Sequence, residues 1–304
     1  MPLADLAKKS RNILRPYEHT EVLLYYGIVA QKLKKYLKGK EIAAKVWLPS
    51  GRMPFFIRRG SKDEPLFIEE FCEGATEHLI EVRKEIENLK DAESKLTKAE
   101  AKAWHYFVPR KLVDFFYATN NEGAGKKIDR IFFDLDRGGV PAEDAQKAAK
   151  SLIELIEKDA ELKKIIKFKI FVMWTGNSFH IYLLLEKQIT NADYEKYFSH
   201  KKDKPLESFT GKWAEKIRNE LKIKVFGGHE EIKGAITIDP SQTPSGKLCR
   251  APFCLHMKDA KTVDGVAIPL TKKMLEDKDL VKKLQRYTPE QVVKELDELA
   301  KRLP

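Results

Sequence analysis

The stretch "IFFDLDRGG", residues 131–139, constrains the fold of this chain more than any other. With "IDR" before it, a strand from 128 places Ile131, Phe133 and Leu135 on one face and Phe132, Asp134 and Asp136 on the other. The first face can be buried, while the second carries two carboxylates whose Cα atoms lie about 6.5 to 7 Å apart. Carboxylates beside a core are costly unless paired or bound to a cation. Gly138 and Gly139 end the strand, and Pro141 suits the first turn of a helix whose Ala145, Ala148, Leu152, Leu155 and Ile156 follow at helical spacing.

Two further segments bear on those acids. "FKIFVMW" and "FHIYLLLE", joined by "TGNS", read as a hairpin in which Ser178 and His180 share a face. Downstream, "GAITIDPSQTPSGKLCRAPFCLHMK" holds a strand with Thr237 and Asp239 opposite Ile236 and Ile238, then Lys247, Arg250 and His256. Asp134, Asp136 and Asp239 are thus three acids at strand ends, a donor set suited to divalent metals about 3.5 to 4 Å apart. Hard oxygen ligands select Mg²⁺ or Mn²⁺ over zinc. A serine hydroxyl, a glycine-relaxed turn, an imidazole and nearby cations suit a polyphosphate. Taken alone, the DxD pair also reads as an exposed turn capped by Asp134. Cys72, Cys249 and Cys254 form no CxxC pair, so neither a zinc site nor a disulfide framework is expected of them.

Elsewhere, residues 21–40 read as an amphipathic helix with Val22, Tyr25, Val29, Leu33 and Leu37 on one side and five lysines in the last ten positions. "EIAAKVWLP" and "PFFIRRG" form a hairpin across "SGRM", and 73–106 reads as two helices over the sheet. "TPEQVVKELDELAKRL" is a capped helix with Val292, Val293, Leu296 and Leu299 apolar. Lys and Arg total 57 against 46 Asp and Glu, a formal charge of +11 that suits either a polyanionic partner or simple solubility. No apolar stretch approaches the roughly 20 residues of a membrane span, and "MPLADLAKKS" lacks the apolar core of a secretory signal. A soluble cytoplasmic, nucleoid-associated protein with no membrane partner is expected.

In their order, hhhDhD, TGNSxH and hhhD followed by R-x-P-x-x-L-H resemble the archaeo-eukaryotic primase (primase-polymerase) superfamily, over roughly residues 128 to 260. Within it the sequence is most similar to the polymerase domain of bacterial ligase D and its stand-alone archaeal relatives. "LLYYGIVAQKLKKYLKGKEIAAKVWLPSGRMPFFIRRG" looks like that domain's opening helix, strand and "FF(Q)K" hairpin, and "GKLCRAPFCLH" is similar to its "GKTAxAPYSxR". The resemblance implies an α+β fold, with an RRM-like antiparallel catalytic sheet flanked by helices and an N-terminal α/β subdomain. It divides the chain into 1–125 for template and DNA contacts, a catalytic core over 126–275, and a C-terminal helix over 276–304.

By position, Asp134, Asp136 and Asp239 would be the catalytic metal-binding acids, holding two Mg²⁺ or Mn²⁺ ions with no zinc. Ser178, His180, Lys247, Arg250 and His256 would bind the nucleotide. Phe55 and Phe56 would pack against the template, with Arg58 and Arg59 on the nucleic-acid backbone. The implied function is a template-dependent nucleotidyltransferase that extends a DNA or RNA primer from nucleoside triphosphates, in DNA repair or end joining; a de novo replicative primase is the alternative. Partners would be DNA, nucleotides and, as separate chains, a ligase and a Ku-like protein. The sequence departs from the family at its upstream phosphate-binding histidine, which has no clear equivalent in "FYATNNEGAGKKIDR", and the zinc knob of replicative primase small subunits is missing.

Two other classes compete. Haloacid-dehalogenase-like phosphatases also begin hhhDxD, but here their Thr is absent, the motif comes late, and nothing in that class explains Ser178 with His180. A non-catalytic nucleic-acid-binding relative would keep the basic surface, yet all three acids are present.

Overall fold

A computed structural model describes residues 19–47, 55–57, 64–107, 112–121, 127–257 and 262–304. The chain divides into two units, one of Met1–Ala118, Arg250–Ala267 and Tyr287–Pro304, the other of Thr119–Cys249 and Ile268–Arg286. No helix among the described residues is long and apolar enough to cross a membrane.

In the first unit the opening helix spans His19–Leu33 and buries Val22, Tyr25, Val29 and Leu33. It stops short of residue 40 because the lysine-rich stretch turns back through Gly39, at φ +67, although Leu37 still reaches the core. Strand β1 (Glu41–Trp47) pairs antiparallel with β2 (Phe55–Ile57), β3 (Leu66–Phe67) and β4 (Leu112–Ala118). The expected "SGRM" turn lies outside the described residues. The 73–106 segment forms helices Glu77–Glu85, Leu89–Ala92 and Lys98–Tyr106 after Ile68–Gly74. It divides more finely than its periodicity indicates because Thr76, Asn88 and Thr97 each cap a new helix start with a side-chain oxygen. Tyr26, Phe71, Phe107 and Phe115 fill the core between them, with ring centroids 4.9 to 6.3 Å apart.

The second unit begins with β5 (Ile128–Asp136), followed by helices Ala142–Lys158 and Ala160–Ile165. The hairpin of β6 (Phe168–Trp174) and β7 (Phe179–Ile189) follows, as its pattern predicts. Helices Asn191–Tyr197 and Phe209–Leu221 lead to β8 (Val225–Gly227) and β9 (Ile236–Asp239). After β10 (Leu248–Arg250), the chain returns to the first unit for the hairpin β11 (Leu255–Met257) and β12 (Val263–Val266), then supplies β13 (Ile268–Leu270) to the second. The six strands run in the order β13-β6-β7-β5-β9-β8, antiparallel except for the parallel β8–β9 edge.

Alternation on β5 decides which face is covered. Phe133 meets Trp213 of the helix Phe209–Leu221, ring centroids 5.9 Å apart, and Ile131, Phe133 and Leu135 are fully buried. The mixed α+β class and the two-faced central strand are those the sequence leads one to expect. The C-terminal segment is interrupted at Glu295, giving helices Pro289–Lys294 and Leu296–Ala300; Val292 and Leu299 are fully buried, and both helices pack on His19–Leu33.

Candidate active site

The other face of β5, buried at Phe132 and partly open at Asp134 and Asp136, gathers the acids by register. Asp134 pairs with His180 of β7 on one side and Asp239 of β9 on the other, while Asp136 pairs with Thr237. Like charges directly opposite each other across a ladder are destabilising, and the carboxyls record the repulsion. Burial, then Asp134, Asp239 and Glu231, push the Asp136 carboxyl up to about 8. Burial also raises Asp239, against the lowering effect of its bonds to Ser241.

Neighbouring groups fix the acids in place. His180 Nε2 lies 3.3 Å from Asp134 Oδ1, and His180 Nδ1 lies 3.2 Å from the Tyr182 hydroxyl. An imidazole donating from Nε2 to the carboxylate accepts the Tyr182 proton at Nδ1. The His180 ring stands edge-on to Phe132 at 4.7 Å and is buried. Asp239 accepts the Ser241 N–H at Oδ1, 2.7 Å, and the Ser241 hydroxyl at Oδ2, 2.9 Å, the arrangement of an Asx turn.

The turns beyond the strand ends are locked together. Thr175 Oγ1 accepts the N–H groups of Asn177 and Ser178 at 3.3 and 2.9 Å, and Ser178 Oγ donates to the Leu135 carbonyl. Ser178 therefore fastens the β6–β7 turn to the end of β5. Arg137 donates from Nη1 to Val140 O at 2.8 Å and from Nη2 to Asn177 Oδ1, so it ties the same two turns. At Gly138, φ is +51 and a Cβ would stand 2.0 Å from Ile232 O, while Gly234 N–H donates to Gly138 O at 2.7 Å. That contact lays the segment 228–235 over the turn, so that Glu231 acts on Asp136 and His229 on Asp239.

The remaining sequence candidates are spread more widely. Lys247 precedes β10, its carbonyl accepting from Thr119 N–H at 2.9 Å. Arg250 and His256 belong to the first unit. There the buried Arg250 guanidinium lies 3.5 Å from Asp114, donates to Leu255 O at 2.7 Å and sits over the Phe116 ring at 5.0 Å. His256 Nδ1 is 2.5 Å from Asp264 across the β11–β12 hairpin. Phe55 and Phe56 lie on β2, opposite Val46 and Lys45; Arg58 and Arg59 lie outside the described residues. The structure thus brings Asp134, Asp136, Asp239, Ser178 and His180 together.

Sequence reading missed Tyr182, Ser241, His229 and Glu231. Tyr182 continues the i, i+2 series of Ser178 and His180, and "DPS" is an Asx-turn signal, so those two were available in principle. Among the described residues no group of three or more His, Cys, Asp or Glu side chains is placed to hold a metal ion as the side chains stand. The donor chemistry of Asp134, Asp136 and Asp239 nevertheless suits a hard divalent cation, because burial first and their mutual repulsion second raise the Asp136 and Asp239 carboxyls, and a cation would offset both.

Residues 19–303 match the family model of the LigD, primase-polymerase domain. Among solved structures, the chain is similar to the polymerase domain of ligase D from Mycobacterium tuberculosis in complex with DNA. The likeness has a TM-score of 0.57 and 16% identity, and covers 96% of each chain. At that identity it speaks to the fold. No curated protein matches the chain.

Proposed function

Because the chain belongs to the LigD primase-polymerase domain family, a family of nucleotidyltransferases, we propose that it extends a DNA or RNA primer on a DNA template from nucleoside triphosphates, in DNA repair or end joining. The observation that carries this reading is the pairing of Asp134 with Asp239 across adjacent strands, with Asp136 beyond. A fold retains such repulsion where a site needs it. Asp134, Asp136 and Asp239 would hold Mg²⁺ or Mn²⁺, which when bound supplies charge neutralisation and Lewis acidity for phosphoryl transfer.

The chain's own residues position the reactants. His180 orients Asp134, and Ser241 orients Asp239. Ser178, on exchanging its bond to Leu135 for one to substrate, would donate to a phosphate oxygen, with Lys247 as a further nucleotide-binding group. Phe55 and Phe56 would stack on template bases, and Arg58 and Arg59 would neutralise backbone phosphates. In the reaction the primer 3′ hydroxyl would give up its proton to solvent, its oxygen would bond to the α-phosphorus, and the bond from that phosphorus to the α,β-bridging oxygen would break as pyrophosphate leaves. The family assignment sets the phosphatase reading aside, and a separate ligase and a Ku-like protein are the partners an end-joining role calls for.

The test is nucleotide incorporation on gapped, overhanging and unprimed templates, with ribo- and deoxyribonucleotides and Mn²⁺. Extension of the primed templates is expected. DNA binding with no incorporation would overturn the reading in favour of a binding module, and synthesis on unprimed template would redirect it to de novo priming.

A further inference from the structure

A groove of about 700 Å³ on the second unit shares no lining residue with the acidic site. Its apolar lining is Ile165, Tyr197, Leu206 and Phe209. Ile165 is 38% exposed and Leu206 49%, unusual for large apolar side chains in a unit whose others are mostly buried.

The scaffold holds them out. The Pro205–Glu207 turn is clamped to the helix Phe209–Leu221, since a Cβ on Gly211 would stand 1.9 Å from Pro205 O. Ser208 Oγ also donates to Pro205 O at 3.1 Å and accepts Gly211 N–H at 3.2 Å. On the opposite wall, Asp159 Oδ1 caps the helix Ala160–Ile165 through the Glu161 and Leu162 N–H groups, 3.1 and 3.0 Å, while Oδ2 accepts Trp213 Nε1–H at 3.0 Å. At the third, Thr210 Oγ1 donates to Phe198 O at 2.6 Å, just past the helix Asn191–Tyr197. All three walls are anchored to one helix, so Leu206 and Ile165 are not free to fold back onto the core.

The rim is basic. Lys164, Lys196, Lys201 and Lys212 face Glu161 and Glu207. Lys212 pairs with Glu161 at 3.2 Å and Lys201 with Glu207 at 3.6 Å, leaving Lys164 and Lys196 as the excess. Lys196 also lies over the Tyr197 ring at 4.9 Å, and Lys212 over Phe209 at 5.5 Å. With cations on those ring faces and Phe209 stacked on Trp213 at 5.4 Å, the groove offers aliphatic side chains in place of an open aromatic platform for bases.

We propose that this groove docks an acidic amphipathic segment of a partner protein, its apolar side chains covering Ile165 and Leu206 and its carboxylates meeting Lys164 and Lys196. The proposal is independent of the polymerase reading. It is tested by selecting a random peptide library on the immobilised full chain, with Leu206→Glu as the counter-target, then measuring the selected peptides by fluorescence anisotropy. Enriched peptides should combine Asp or Glu with apolar residues. Leu206→Glu and the pair Lys164→Glu, Lys196→Glu should each weaken them by about tenfold or more, with nucleotide incorporation unchanged. No enrichment over Leu206→Glu, enrichment of basic or neutral peptides, or displacement of the peptides by oligothymidine would each overturn it.

Discussion

Asp136 sits where a folded protein has reason to prefer a neutral side chain, and its acidity gives the cost a sign. Its carboxyl titrates at about 8 in the folded chain against 3.8 for an isolated aspartate, so over that interval the folded state keeps a proton the unfolded state has lost. Stability from this group is present at low pH and is lost as pH rises through about 8. Without divalent cations, Asp136→Asn should therefore be more stable than the parent at alkaline pH, by on the order of 1 kcal/mol once solvent screening is allowed for. The difference should vanish in acid. Adding Mn²⁺ should raise the melting temperature of the parent and leave that of Asp136→Asn nearly unmoved; thermal melts across pH check both. Tyr182→Phe should cost about 1 kcal/mol in denaturant unfolding through loss of the His180 contact, since a buried acceptor is left unpaired. The acids were legible in the sequence because period-two alternation fixes their face; their supports were less so, since Ser241 acts through turn geometry and Tyr182 through His180, whose reach to Asp134 depends on cross-strand register.

At the level of elements, the turn after β5 is the least forgiving place. A methyl group at Gly138 would meet the Ile232 and Ala235 carbonyls at 2.0 and 2.7 Å in a backbone already at φ +51. Gly138→Ala should cost about 2 to 3 kcal/mol in chemical denaturation, whereas Gly139→Ala, with nothing near its Cβ position, should cost less. Ser178→Ala should lose about 1 kcal/mol of stability through its bond to Leu135. If Ser178 also serves the nucleotide as proposed, KM should rise as well, by steady-state kinetics. The sequence marked Gly138 and Gly139 as a strand end but could not rank them, because the clash is with segment 228–235, about a hundred residues onward. Helix limits were blurred for a similar reason: Thr76, Asn88 and Thr97 start new helices inside one long charged periodicity.

For the whole molecule, the excess of basic residues sets how the chain meets nucleic acid. With a formal charge of +11, DNA affinity under the proposed function should fall steeply and log-linearly with salt, measurable by anisotropy titration. What composition left hidden is the discontinuity of the units: Arg250–Ala267 and Tyr287–Pro304 join the first unit although no linker or change of composition announces either crossing. Arg250 and His256 read as neighbours of Asp239 along the chain, yet each has a carboxylate partner within the first unit. Under the proposed function the acids crowded on β5 and β9 would make this chain a metal-dependent polymerase, and Mn²⁺-dependent extension of a labelled primer by the parent and the double variant Asp134→Ala, Asp136→Ala tests this most directly. The parent should extend the primer and the variant, folded by circular dichroism, should fall by about a hundredfold or more; extension unchanged in the double variant would contradict the claim.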